Sequence, residues 1–340
     1  MTGLQKIIDE KPWQEMLRLT GEKNMDLLLR HLRLEEAWID SNTEPEVFLR
    51  EYFSAHQESI LMLLSEDDME ALFHIWEERK LQNSSNIELK QLEYLKRLGL
   101  IGYDHRDKVV RMNQEARQAL YFYMKSRSAK HLLKQYQKLE ERIKGMLYVY
   151  GIMDVTSLYE QLELEEMTKE QLLAFLYGRI EFWSFFRILA DKRKTEYYIE
   201  SADVKDRNHI FFQRMEEEWE EYRYISEEEA CKISHMNGIG KWQGTKEMLV
   251  FLIDRIYHDV SPSVVMIKQI LVDIQNGASM EELQEKLERK LEDLTPDQLE
   301  EFHMNLEKMY WHTPLFGKKG HTRGEGNQHG FSIIQGGKHE

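Results

Sequence analysis

With 340 residues, 41% of them hydrophobic and 31% charged, and only 5 prolines, the chain has the length for two or three compact units and the composition to stay mostly in periodic elements. Its formal net charge of -15 repels phosphate at long range, which argues against a wholly electrostatic nucleic-acid binder unless its cations gather on one face. A single cysteine, Cys231, excludes a disulfide framework and a zinc site of several thiolates, and fits a reducing cytoplasm.

The opening residues, MTGLQKIIDEKPWQEM, carry charges throughout and no apolar signal core. Nowhere do about 18 apolar residues run together, so neither export nor a membrane span is expected. From Leu17 to Leu64 apolar residues recur at helical spacing, among them Leu28, Leu32, Trp38, Phe48 and Tyr52, which predicts helices packed on helices over residues 1–64. Ser65-Glu66-Asp67-Asp68 then supplies an N-cap and early acids for a helix through Met69, Leu72, Phe73 and Trp76.

Leu89, Leu92, Leu95 and Leu98 form the stripe of a further helix, stopped at Gly99. Two short apolar runs follow, Leu100 to Tyr103 and Lys108 to Met112, around the polar turn Asp104-His105-Arg106-Asp107. Helices followed by a charged-tip hairpin outline a winged-helix-like module at 65–124. From Lys125 the stripe Leu132, Tyr136, Leu139 and Ile143 predicts a long connecting helix. Asp154 and the capping box Thr168-x-x-Gln171 start two more helices. Phe182 to Leu189 and Tyr197 to Ile199 flank the turn Asp191-Lys192-Arg193-Lys194, a pattern that suggests a second winged-helix-like unit within 125–225.

Capping boxes at Ser226, Ser279 and Thr295, with Ser261-Pro262 as a further start signal, predict a helical bundle over 226–311. After Trp311 the composition turns to Gly, His, Lys, Asn and Gln, so 312–340 is expected to be a flexible tail, with Phe331-Ser332-Ile333-Ile334 as its one docking segment. The fold class expected is therefore mainly α: a multi-module helical protein with winged-helix-like units carrying small β-hairpins, and a C-terminal helical bundle.

Ile143-Lys144-Gly145-Met146-Leu147 through Tyr150-Gly151-Ile152, Ser157-Leu158-Tyr159, Tyr224-Ile225-Ser226-Glu227-Glu228-Glu229, and Leu315 to Arg323 with Lys319-Gly320-His321-Thr322 carry a resemblance. In this order they resemble a group of bacterial helical proteins, many of which end in a SEC-C zinc-binding segment. The resemblance covers roughly the second half of the chain and implies architecture. No SEC-C cysteines follow Arg323, so a zinc-dependent role does not carry over.

The chain contains no Gly-x-Ser-x-Gly, no His-Glu-x-x-His and no Cys-x-x-Cys. Gly238-Ile239-Gly240-Lys241-Trp242-Gln243-Gly244-Thr245 invites a phosphate-loop reading, but Trp242 stands where that loop needs Ser or Thr, and an interhelical turn is the better account. His312, His321, His329 and His339 fit no structural metal spacing, and the Glu216 to Glu221 run reads as a solvated helix face. Cys231 with His235 four residues on lacks the third, orienting group of a nucleophilic site. Tyr121-Phe122-Tyr123 and Phe182 to Phe186 read as core. No catalytic residue, metal or cofactor is assigned.

Cations group better. Lys130, Lys134 and Lys138 share one helix face. Lys90, Lys96 and Arg97 lie on the helix before the hairpin, and Arg106 and Lys108 at its tip. The expected function is a non-enzymatic interaction or regulatory scaffold that binds mainly protein partners. The alternative is a DNA-binding transcriptional regulator using the module at 65–124 and the basic helix at 125–144, with those eight cations on phosphate or bases. An enzyme with an unfamiliar site, built from Cys231 or the histidines with carboxylates, is a third possibility that spacing alone does not reveal.

Overall fold

The structure, a computed structural model, describes residues 5–9, 11–77, 87–104, 106–165, 167–179, 185–190, 196–216, 221–289, 291 and 294–326. It is mainly helical with two small sheets, and the chain divides into two compact units. Unit 1 comprises Met1–Leu139 and Leu164–Trp183; unit 2 comprises Glu140–Glu163 and Ser184–Glu340.

In unit 1, strand β1 (Gln5–Asp9) precedes α1 (Trp13–Leu19), α2 (Glu22–His31), α3 (Glu35–Ser41), α4 (Pro45–Ala55) and α5 (Gln57–Leu63). These short helices bury one face each, and Trp13, Leu17, Leu29, Leu49, Phe53 and Ile60 are almost wholly removed from solvent. Trp13 stacks on Phe53 with ring centroids 5.8 Å apart, and its indole N–H donates to the Leu98 carbonyl at 3.4 Å. Next come α6 (Glu66–Glu77) and α7 (Leu89–Arg97), then the hairpin strands β2 (Ile101–Asp104) and β3 (Val109–Asn113) and helix α8 (Gln114–Met124).

The expected stop at Gly99 is realised as a two-bond cap: Gly99 N–H donates to the Lys96 carbonyl and Leu100 N–H to that of Leu95. Gly99 adopts φ +69°, which a β-carbon would disfavour. The hairpin is joined by a strand that the sequence reading missed. β1 pairs with β3 in parallel, from Gln5 opposite Val109 to Asp9 opposite Asn113, giving the order β1-β3-β2. The first part of the long helix α9 (Arg127–Tyr150), capped by Ser126, and α11 (Lys169–Arg179) complete the unit. α11 packs against α5 and α2.

Unit 2 begins within α9 and continues through β4 (Ile152–Asp154) and α10 (Val155–Leu162), which is capped by Asp154 as expected. Strands β5 (Phe186–Ala190) and β6 (Tyr197–Ser201) form an antiparallel hairpin, and β4 adds to the free edge of β6 to give the order β4-β6-β5. Then follow α12 (Arg207–Glu216), α13 (Glu227–His235), α14 (Thr245–Phe251), a π-helical turn Leu252–Tyr257, α15 (Val260–Gln275), α16 (Met280–Glu288), α17 (Pro296–His312) and α18 (Arg323–Gly326). α14 packs on α15 and α17, and α16 touches both α15 and α17. Ser226, Ser279 and Thr295 cap as read from the sequence, whereas α15 is capped by Asp259, two residues before the expected Ser261.

Two expected boundaries are corrected. The helix assigned with the second hairpin to a module at 125–225 is α11, and it belongs to unit 1. The tail expected from residue 312 does not begin there: Thr313, Leu315, Phe316 and Thr322 are buried, and Phe316 joins Ile152, Val204 and Ile210 in one core cluster. Gly and Lys composition resembled a tail, but it serves a tightly folded loop in which Leu315 and Gly320 close on one another through backbone bonds. Residues 327–340, with Phe331 to Ile334, lie outside the described residues. Among the described residues no helix is long and apolar enough to cross a membrane.

Candidate interaction surfaces

The eight cations singled out from the sequence fall on three surfaces of unit 1. α7 starts with a reciprocal cap in which Glu88 and Gln91 exchange side-chain and backbone bonds. Its cations are answered by its own acids, Lys90 by Glu88 at 3.3 Å and Lys96 by Glu93 at 3.9 Å. Arg97 is exposed, and its carbonyl accepts from the Asn24 side chain at 2.8 Å. Lys96 also lines a groove of about 380 Å³ with Met16, Leu19, Tyr103 and Arg111.

At the hairpin tip Arg106 and Lys108 are exposed and make no ion pair among the described residues. The Asp104 carboxylate accepts the Arg106 amide at 2.8 Å and the Asp107 amide at 3.4 Å, which holds its pKa below the ordinary carboxylate value. His105 lies outside the described residues. On α9, Ala129, Leu133 and Tyr136 face inward while Arg127, Lys130, His131, Lys134 and Lys138 face solvent.

Several of the remaining sequence candidates are engaged in local structure, while His329, His339, 182–184 and 217–220 lie outside the described residues. Gly238 at φ +82° and Gly244 at φ +88° turn the chain between α13 and α14, and a β-carbon on Gly240 would lie 2.4 Å from the Trp242 indole, so the loop is filled by its own side chain. His235 faces Glu141 at 3.1 Å. His321 bonds Glu325 at 2.9 Å, and among the described residues no three His, Cys, Asp or Glu side chains gather to hold a metal ion. Tyr121 packs edge-on to Phe73, but Phe122, read as core, is 83% exposed.

Three features escaped the sequence reading because they are made by distant segments. Arg214 acts as a clamp: burial pulls its pKa down, and its guanidinium donates to the carbonyls of Tyr150 at 2.8 Å, Ile152 at 2.9 Å and Phe316 at 2.8 Å and to the Tyr222 hydroxyl at 3.2 Å. Gly151 and Gly320 permit the approach, since β-carbons there would lie 2.5 Å from Phe316 and 2.7 Å from Tyr150. Second, the buried Glu200 sits between Arg187, at 2.6 Å, and Arg207, and Asp273 between Lys205 and Lys286.

The third is a groove of about 260 Å³ on unit 2, beside α13. Ile233, Met236, Ile239 and Trp242 make its apolar walls, and Glu228, Glu229, Lys232 and Lys241 its rim. α13 places Ile233 inward and Met236 at its C-terminus, while the Gly238 turn brings Ile239 and Trp242 back beside it.

No family model, curated protein or solved structure matches the chain. Tyr150, Gly151, Arg223, Lys319 and Gly320, residues scattered through the second half, are brought together around the Arg214 clamp: the Tyr150 hydroxyl donates to the Arg223 carbonyl and Arg223 N–H to that of Lys319 at 3.0 Å.

Proposed function

We propose that the chain is a non-enzymatic interaction or regulatory scaffold of the cytoplasm that binds mainly protein partners. The observation that carries this reading is the α13 groove, whose apolar walls inside a mixed-charge rim repeat the anatomy of a protein-interface anchor site. Its volume of about 260 Å³ suits one or two apolar side chains of a partner. The buried charges of unit 2 add support, because Arg214, Glu200 and Asp273 are each spent on holding backbone or neighbouring cations.

The test is a photo-crosslinking amino acid placed at Lys241 in living cells. The expected result is a discrete protein adduct that disappears when Met236, 44% exposed on the groove wall, is changed to Asp. Absence of any adduct, or one indifferent to Met236→Asp, removes the groove from the argument.

The second reading is a DNA-binding regulator in which α6, α7 and the β2–β3 hairpin form a winged helix, and Arg106 and Lys108, exposed at the tip, favour it. The pairing of Lys90 and Lys96 with glutamates of α7 weighs against it, since base reading needs those side chains released. Anisotropy with mixed-sequence duplex DNA decides: binding lost on Arg106→Ala with Lys108→Ala and weakened by salt promotes this reading.

A further inference from the structure

Acidic residues outnumber basic ones 61 to 46 in the chain, yet none occurs from Ala116 to Leu139. That stretch holds the solvent face of α9, where Arg127, Lys130, His131, Lys134 and Lys138 are all exposed. Arg127, Lys130 and Lys134 make no ion pair among the described residues, unlike Lys90 and Lys96 on α7. Spacings of three or four residues put Arg127, Lys130, Lys134 and Lys138 in single file, each step about 4.5 to 6 Å along the axis and the whole row about 17 Å long. Phe122, five residues before Arg127, is 83% exposed, the most exposed aromatic among the large apolar residues described.

We infer that this face of unit 1 is a docking surface for an acidic amphipathic helix of a protein partner. The inference rests on the protein-partner reading above and names the partner's chemistry. Carboxylates on every fourth residue of an α-helix repeat at about 6 Å, the same interval as the lysines, so several charge-assisted hydrogen bonds form in one register. Phe122, exposed on α8 five residues before Arg127, offers such a helix an apolar anchor whose burial adds what solvent-exposed ion pairs alone do not. Duplex DNA is the poorer fit. It extends past a row of about 17 Å in both directions, and the rest of this chain is more negative than its net -15 once the row is set aside.

The experiment is fluorescence anisotropy of the full chain with a labelled helical peptide of about 15 residues carrying Glu at every fourth position and a Leu pair at one end. The same peptide with Gln for Glu and a duplex DNA serve as comparison probes. The Glu peptide should bind, more weakly as salt rises from about 50 to about 200 mM, and the Gln peptide should not. Lys130→Glu with Lys134→Glu should raise Kd at least about tenfold. Phe122→Ser should raise it about threefold. Lys90→Glu with Arg106→Glu, the same charge change elsewhere on the unit, should alter it less than about twofold. Circular dichroism establishes that each exposed substitution leaves the fold intact.

Failure of the Glu peptide to bind, equal binding of the Gln peptide, or indifference to the Lys130 and Lys134 reversal overturns the inference. Tighter binding of the duplex, lost on the same reversal, overturns it too and gives the row to nucleic acid. The crosslink at Lys241 is independent: an adduct there without peptide binding keeps the protein-partner reading and discards the α9 row.

Discussion

Asp68 in unit 1 and Asp273 in unit 2 are both buried carboxylates, and they are held by different means. Asp68 caps the start of α6 through the Ser65 amide and hydroxyl, with its second oxygen making no hydrogen bond, and burial raises its pKa against those bonds and the Arg179 charge. Asp273 feels the same upward push from burial, but hydrogen bonds from Lys205 and Lys286 outweigh it and leave its pKa below the ordinary value. The lesson is that burial alone does not set the sign; two ammonium groups do what hydroxyl and amide dipoles do not. The units differ likewise at one helical glycine in each that faces a neighbouring helix. A β-carbon on Gly145 would lie 1.8 Å from the backbone oxygen of Ala230, whereas on Gly178 it would first meet the end of the Leu63 side chain, at 2.7 Å.

The largest effect is therefore expected from Gly145→Ala. The backbone of α13 has no rotamer with which to yield, so the change should cost unit 2 about 3 kcal/mol, read by urea denaturation with hydrogen exchange followed in each unit. A loss confined below about 1 kcal/mol would show that α9 and α13 separate easily. Next comes Asp273→Asn. Because Lys205 and Lys286 remain half in solvent, the loss is screened to about 1–2 kcal/mol.

The sign of the pH dependence follows from the lowered pKa. Asp273 contributes its stability above the unfolded carboxylate range and loses it as pH falls through its folded pKa. Asp273→Asn should thus flatten the acid limb of unit 2 stability.

Asp68 has the opposite sign. Its raised pKa means that its contribution is fully present below the unfolded value and is lost as pH rises through the folded one. Asp68→Asn should remove that decline and stabilise unit 1 at neutral pH by up to about 1 kcal/mol. A clear destabilisation there would mean that the carboxylate charge is used by Arg179 more than burial penalises it. The smallest change is expected for Gly178→Ala, where a helix-propensity gain of about 1 kcal/mol offsets the displacement of Leu63. A loss as large as that of Gly145→Ala would erase the contrast between the two approaches.

Much of the local structure was legible in the sequence. Ser65, Asp154, Thr168, Ser226, Ser279 and Thr295 all cap where their side chains and spacing indicate, because an N-cap bond spans three residues and needs no distant partner. The hairpin around Asp104 was legible for the same reason. Ser261 misled because Asp259, two residues earlier, competes for the same role. The expected tail failed on composition: Gly317, Lys319 and Gly320 read as loop residues, and their packing depends on Phe316 entering a core built by Ile152, Val204 and Ile210, all more than about 100 positions away.

Of the interaction surfaces, the α9 row was visible as spacing, since helical neighbours recur every three or four residues. That Arg127, Lys130 and Lys134 make no ion pair among the described residues while Lys90 and Lys96 of α7 do was not visible, because ion pairing depends on side-chain placement. The α13 groove needs the turn at Gly238 to fold Trp242 back, and periodicity does not report such a return.

By itself, then, the sequence determined the helical class, the caps, the hairpins and the cation row, all governed by contacts within a few residues. Tertiary structure alone decided that β1 joins β3 from the far end of unit 1, that α11 belongs with α5, that the 313–322 loop is core, and which charges are spent and which are free. Those outcomes turn on segments far apart in the chain meeting at close range, where backbone approach and desolvation set the energy and sequence spacing carries no record of either.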